Sequence, residues 1–272
     1  MMKGTSLYGP DNRHLQNWGR PPRRPSWASP PTHVHVEVQK RTTLEGCIYM
    51  QSMVPGGVDI GVLNFASATR PGGGFRKGAS AQEESLARSS TLFKALESDK
   101  VKRFYDQHKA DGRDPFYSHA MIYSPRVVFF RDDDGGWLSP TFADVLTCAA
   151  VNAKQVRASE RYQWTPDIER RIEDTMKERM GRILELFEYR HAKNLVLGSF
   201  GTGVFQNDVG MVAGAWRELL RDRGARFRFS FDRVLFAIPD ERTAREFEEV
   251  FFNDQPRGGR RSGSPERATS HM

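Results

Sequence analysis

The chain has 272 residues, 38% hydrophobic and 28% charged, with a formal net charge of +7, enough for one large domain or two small ones without disulfide or metal staples. No run approaches the about 18 apolar residues of a transmembrane helix, and the opening MMKGTSLYGPDNR lacks the apolar stretch of a secretory signal. Cys47 and Cys148 are too few for a disulfide framework or a four-ligand zinc site, so a reducing compartment, cytoplasm or nucleus, is expected.

Residues 1–31 read as a disordered tail whose Pro/Arg-rich stretch 19–31, GRPPRRPSWASPP, is extended. A folded domain is then expected over 32–254. Its alternating HVHVEV predicts a strand at 34–38, and apolar runs predict others at 58–65, 126–130, 145–151, 195–199 and 233–238. Helical periodicity marks 82–96, 100–109, 167–191, 209–223 and 241–253, with Pro166 and Asp167 opening the third and Gly224 closing the fourth. Ile168, Ile172, Met176 and Ile183 form the core-facing stripe of the third helix. From 255 onward the chain is too polar to bury apolar area and reads as a second disordered tail. Strands alternating with helices point to an α/β sandwich.

The positive charge is unevenly placed. Residues 1–45 hold seven bases and three acids, and residues 255–272 hold four bases and one acid, so the 209 residues between them are neutral. A body that grips phosphate backbones carries its basic stripe on the folded surface. Solvated ends are therefore the expectation, with weak, salt-sensitive tethering to a polyanion as the alternative. No direct sequence-specific nucleic-acid binding and no membrane contact are expected.

The stretch 61–93, GVLNFASATRPGGGFRKGASAQEESLARSSTLF, carries the most information. It starts as an apolar strand and runs into Gly72, Gly73 and Gly74. Glycine loses the most backbone entropy on ordering, so a glycine triplet is either a flexible turn or main chain wrapped closely around something. Seven residues later stand Gln82, Glu83 and Glu84, followed by a helical run. The helix dipole alone would favour acids there, but it explains neither Gln82 nor the glycines. A carboxylate beside a loop of backbone amides can hold and protonate a sugar-bearing substrate.

A second glycine loop follows the strand at 195–199 and precedes a helix: Gly201, Thr202, Gly203, Val204 and Phe205. Strand, glycine loop and helix start is a general arrangement for holding phosphate through main-chain N–H groups. The nicotinamide-binding G-x-G-x-x-G spacing fails because Gln206 takes the third glycine position, and no G-x-x-x-x-G-K-[ST] is present.

PGGGFRKGASAQEESL matches the triple glycine, six-to-eight-residue spacer and QEE of poly(ADP-ribose) glycohydrolases. The flanking NFASA and LARSSTL resemble the microbial type of that family, and VLTCAAVNA and LGSFGTGVFQND are similar to its later blocks. The resemblance spans about residues 41–253 and omits both tails. It implies a macrodomain-like three-layer sandwich, a mixed six-stranded sheet flanked by helices, with ADP-ribose in a cleft at one end of the strands.

It also implies hydrolysis of the ribose–ribose O-glycosidic bond of poly(ADP-ribose) from the free end, with release of ADP-ribose and no metal or other cofactor. Gly72, Gly73 and Gly74 would shape the cleft around the diphosphate and distal ribose. Gln82 and Glu83 would position that loop and the ribose hydroxyls, and Glu84 would be the general acid–base. Neighbours near a helix start point about 100° apart, so the two glutamates cannot flank one bond as a usual glycosidase pair does. A proton donor working near neutral pH needs a raised pKa, which burial and an adjacent negative charge supply. The loop Gly201, Thr202, Gly203, Val204 and Phe205 would bind diphosphate through its amides, with Phe205 a platform for the ribose. The family often has Cys where this chain has Thr202, a change that main-chain binding tolerates.

The resemblance leaves rivals: a hydrolase that removes terminal ADP-ribose from modified proteins, or a non-catalytic ADP-ribose reader, for which Glu84 would serve no purpose. The expected partners are poly(ADP-ribose) or ADP-ribosylated proteins, and the chain is expected to act as a monomer. Phe236 and Ile238 read as core residues rather than adenine contacts. Asp132, Asp133 and Asp134 read as a solvated hairpin tip. Trp137, Trp164 and Trp216 read as packing residues, and the seven histidines show no metal-ligand spacing.

Overall fold

The computed structural model describes residues 4–20, 33–54, 59–110 and 114–253. The stretch 21–32 and the tail from 254 lie outside the described residues. In chain order the elements are β1 (Ser6–Tyr8), α1 (Arg13–Gln16), β2 (His35–Gln39), α2 (Thr43–Met53), β3 (Ile60–Phe65) and a 3-10 turn (Phe75–Lys77). Then come α3 (Gln82–Ser89), α4 (Leu92–Leu96), α5 (Lys102–Ala110), β4 (Met121–Arg131), β5 (Trp137–Cys148) and α6 (Ala153–Ala158). The chain continues through α7 (Ile168–Tyr189), β6 (Asn194–Leu197), α8 (Val209–Leu220), β7 (Arg233–Ala237) and α9 (Glu241–Phe252).

The strands form one mixed sheet in the order β1-β4-β5-β3-β6-β7-β2, with seven strands where six were expected. The neighbours from β5 through β3, β6 and β7 to β2 are parallel, whereas β4 is antiparallel to both β5 and β1. A strand buried on both faces reads as a continuous apolar run, as in IGVLNF. Its side chains still alternate. Leu63, Leu195, Leu197, Val234 and Phe236 pack with α7, α8 and α9, while Val62, Val196, Leu235 and Ala237 pack with α2 to α5. The sandwich thus has two cores, one on each face of the sheet.

The first tail is a correction to the sequence reading. Residues 4–20 are part of the domain: β1 extends the sheet, Leu15 is fully buried, and Trp18 stacks on Phe227 while its indole donates to Glu178. Gly181 of α7 admits that indole, since a Cβ there would lie 2.5 Å from the Trp18 ring. Arg182 and Arg226 donate to the carbonyls of Pro10 and Trp18. The remaining differences are local. The expected helix 82–96 breaks at Ser90, which is extended and bridges to Phe129 of β4. β4 and β5 form a hairpin longer than expected because a bulge at Arg126, φ +52°, absorbs Pro125. Trp216 is buried as expected, but Trp137 and Trp164 are 74% and 86% exposed. Among the described residues no helix is long and apolar enough to cross a membrane.

Parallel strands β3, β5, β6 and β7 all end on the same side of the sheet, so the loops after Phe65, Cys148, Leu197 and Ala237 converge. From β3 the chain crosses towards β4 on one side of the sheet, and from its neighbour β6 it crosses towards β7 on the other, and such a switch point opens a crevice.

Candidate functional site

The segment from β3 to α3 is fastened at both ends by side chains. Gln82 accepts from the Phe65 amide at 2.9 Å and donates to the Leu63 carbonyl at 2.8 Å, so its carboxamide prolongs the β3 ladder. A further bond to Thr43 Oγ1 at 3.2 Å ties in α2. The chain turns through Gly72 and Gly73 at φ +66° and +61°, a region that side-chain-bearing residues avoid. Space is as restrictive as the dihedral, because a Cβ on Gly73 would lie 2.2 Å from Glu84 Oε1.

The two glutamates are held differently. Glu83 is 2% exposed, and its oxygens accept from the Ser67 amide at 2.6 Å and from Asn64 Nδ2 at 3.3 Å. Burial is the largest influence on its acidity, and with the neighbouring charge of Glu84 it pushes the pKa up to about 8 against those donors. Glu84 accepts from the Gly74 amide through Oε1 at 2.8 Å. Its Oε2 makes no hydrogen bond to any described residue and reaches solvent. One carboxyl is locked and the other has a free oxygen.

The second loop closes the crevice from β6. Gly201 takes φ +79° and could not carry a Cβ, which would fall 2.4 Å from Ala150. Asn207 is buried and donates to the carbonyls of Val151 and Gly201 at 2.8 and 2.9 Å, pinning the loop to the end of β5. The Asp208 side chain caps α8 at 2.6 Å. The amides of Gly201, Gly203, Val204 and Phe205 find no acceptor among the described residues. Unengaged amides before a helix start suit an anion.

Between the loops lies a cavity of about 310 Å³. All five expected residues of the second loop line it, together with Gln82, and among the described residues no lysine or arginine does. Glu83 and Glu84 are not among its walls. They follow Gln82 directly and rest against the triple-glycine loop, whose Gly73 and Gly74 border a different groove while Gly72 is buried. Phe236 is a core residue as expected, whereas Ile238, though 1% exposed, forms part of the cavity wall with Asp240.

Three residues outside the expected set support this geometry. Asn64 bonds to Glu83 and, at 3.1 Å, to Thr147. Its signal is a lone amide inside the apolar run GVLNF. Asn207 stood in the quoted FQND but gave no sign of its buried partners. Arg179 of α7 is fully buried and donates to the carbonyls of Ala149, Phe116 and Tyr117, fixing the segment beside Phe205. Only the tertiary fold reveals that role.

Residues 1–132 match the family described as microbial-type PARG, catalytic domain. The poly(ADP-ribose) glycohydrolase of Deinococcus radiodurans, solved in complex with ADP-ribose, is 33% identical, with 93% of this chain and 96% of that chain covered at a TM-score of 0.80. The enzyme of Thermomonospora curvata is 36% identical over 92% of this chain and 86% of that one, TM-score 0.81. The same enzyme bound to the inhibitor ADP-HPD is 35% identical with a TM-score of 0.78. No curated protein sequence matches. Identity above 30% over nearly the whole of both chains, on the same α/β architecture, makes this chain a member of the microbial-type poly(ADP-ribose) glycohydrolase family.

Proposed function

We propose that this protein hydrolyses the ribose–ribose O-glycosidic bond of poly(ADP-ribose) from the free end and releases ADP-ribose, with Glu84 as general acid–base. The observation that carries the assignment is the unequal engagement of the two glutamates. Glu83 spends both oxygens on protein donors, whereas Glu84 is fixed by Gly74 through one oxygen and keeps Oε2 free. A fixed carboxyl with one free oxygen suits proton transfer to a departing hydroxyl and then from an attacking water.

The terminal unit occupies the cavity between the loops. The unengaged amides of Gly201, Gly203, Val204 and Phe205 take the diphosphate, and the Phe205 ring backs the ribose. Gln82 and Glu83 hold α3 against β3, so that Glu84 meets the anomeric carbon at a set height. Gly72, Gly73 and Gly74 let the main chain turn tightly enough to bring the Gly74 amide onto Glu84 and hold its carboxyl in place. The same reading gives a monomer acting on polymer or ADP-ribosylated protein in a reducing compartment, cytoplasm or nucleus. Cys47 and Cys148 are both free and buried, and burial pushes their thiols up to about 12 and keeps them inert.

Incubation with poly(ADP-ribose) should release monomeric ADP-ribose from the outset, without short oligomers. Glu84→Gln should lower kcat by about 10²–10⁴-fold and leave ADP-ribose affinity nearly intact. Full turnover by that variant sinks the assignment. Release of ADP-ribose only from singly modified protein supports the rival hydrolase, and binding without turnover supports a reader.

A further inference from the structure

We infer that the groove on the outer side of the triple-glycine loop is a second subsite, for the nucleotide on the leaving side of the scissile bond. The inference rests on the proposed function. The groove is about 400 Å³ and is walled by Gly73, Gly74, Phe75, Phe93 and three cations, Arg70, Arg76 and Lys77, with Glu97 as the acid among them. Arg76 is engaged, pairing with Glu97 at 3.2 Å and lying 4.6 Å over the Phe93 ring. Arg70 and Lys77 are exposed and form no ion pair with any described residue. The half-buried rings of Phe75 and Phe93 stand 4.7 Å apart beside these charges.

Charge separates the two compartments. Among the described residues, the cavity that takes the terminal unit has no basic side chain and offers amides, so its anion needs none of these three cations. The groove offers cations and aromatic faces, the complement of a diphosphate and a nucleobase. The loop connects them: Gly73 and Gly74 border the groove, and the Gly74 amide grips Glu84. The hydroxyl that Glu84 protonates belongs to a ribose of the next unit, which carries an adenine directly and a diphosphate a few bonds away. That nucleotide leaves across the same loop, on the side where the free cations stand.

The test is the double charge reversal R70E/K77E, with free ADP-ribose and poly(ADP-ribose) as probes. Expected are an unchanged melting temperature and ADP-ribose affinity by calorimetry, an about tenfold higher KM for the polymer at low salt, and a flatter dependence of KM on salt than the wild type shows. An unchanged polymer KM beside an active wild type overturns the subsite and leaves the proposed function standing. Equal loss of ADP-ribose affinity also overturns it, because the damage then lies in the loop shared with the first cavity. No release of ADP-ribose from polymer by the wild type overturns the proposed function, and the subsite with it.

Discussion

Gly73 and Glu84 form a single unit, since the carboxylate occupies the space a side chain on Gly73 would need. Gly73→Ala should cost about 1–2 kcal/mol through its left-handed dihedral and displace Glu84, lowering kcat by about 100-fold. Thermal melts and steady-state kinetics check both. Glu83 sets a pH dependence. Its folded pKa of about 8 lies above the ordinary 4.5, so the native state holds a proton that the unfolded chain releases. That contribution is complete below 4.5 and is lost as pH rises through 8, so stability should fall across the interval. Glu185, pushed up to about 7 by burial, acts in the same direction. The measurement is therefore the difference between wild type and Glu83→Gln, whose melting temperature should decline less from pH 5 to 8. Gln82, Glu83 and Glu84 were legible in the sequence because they stand together a short way after the glycine triplet, and each bonds to main chain close upstream, in β3 or the loop that follows it. Asn64 and Asn207 were not, because a single amide in an apolar run or a loop does not name the groups it will meet, Glu83 and Thr147 for the first and the carbonyls of Val151 and Gly201 for the second.

At the scale of elements, the second glycine loop owes its shape to Asn207. Asn207→Ala removes donors from two carbonyls, a cost of about 1–3 kcal/mol, and should weaken ADP-ribose binding more than it lowers kcat. Calorimetry beside single-turnover kinetics separates the two effects. The parallel strands were legible because burial on both faces leaves continuous apolar runs. α2 was not recognised, although Thr42 and Glu45 form a capping box at its start. Its interior, TLEGCIYMQSM, mixes polar and apolar residues without a clear helical stripe, and periodicity alone could not find it. The break between α3 and α4 escaped for another reason. Ser90 and Thr91 trade helical bonds for β4, with the Thr91 amide donating to Val128 at 3.0 Å. A run of Ser and Thr hints at such competition without naming the partner.

At the scale of the molecule, the N-terminal arm is the part that composition concealed. Residues 4–20 offer few apolar anchors, among them Leu15 and Trp18, too few for periodicity to register. Yet Arg226, flanked by Glu185 at 2.9 Å and Glu188 at 2.7 Å, also donates to Trp18, and His14 meets Glu185 at 3.0 Å. Deleting residues 1–20 uncovers an apolar surface and strips partners from partly buried charges. The burial of Leu15 alone is worth about 1.5–3 kcal/mol. The truncated protein should melt about 5–10 °C lower, as differential scanning calorimetry would record. Activity at a temperature well below that transition should persist, because the arm docks on α7 and β4 rather than on the crevice loops. The neutrality of residues 46–254, by contrast, was visible in the sequence and agrees with a cavity that offers amides instead of cations.

Gln82 is clipped to β3 and Gly74 to Glu84, so the seven residues from Phe75 to Ala81 bridge two fixed points, first as the 3-10 turn Phe75–Lys77 and then through the exposed Gly78 and Ala79. Lengthening or shortening that span by one residue should be absorbed at the exposed Gly78 and Ala79 with little effect on turnover. One residue inserted between Gln82 and Glu84 would instead swing the carboxylate about 100° around the helix axis and abolish it. The ruler of this site is two residues long.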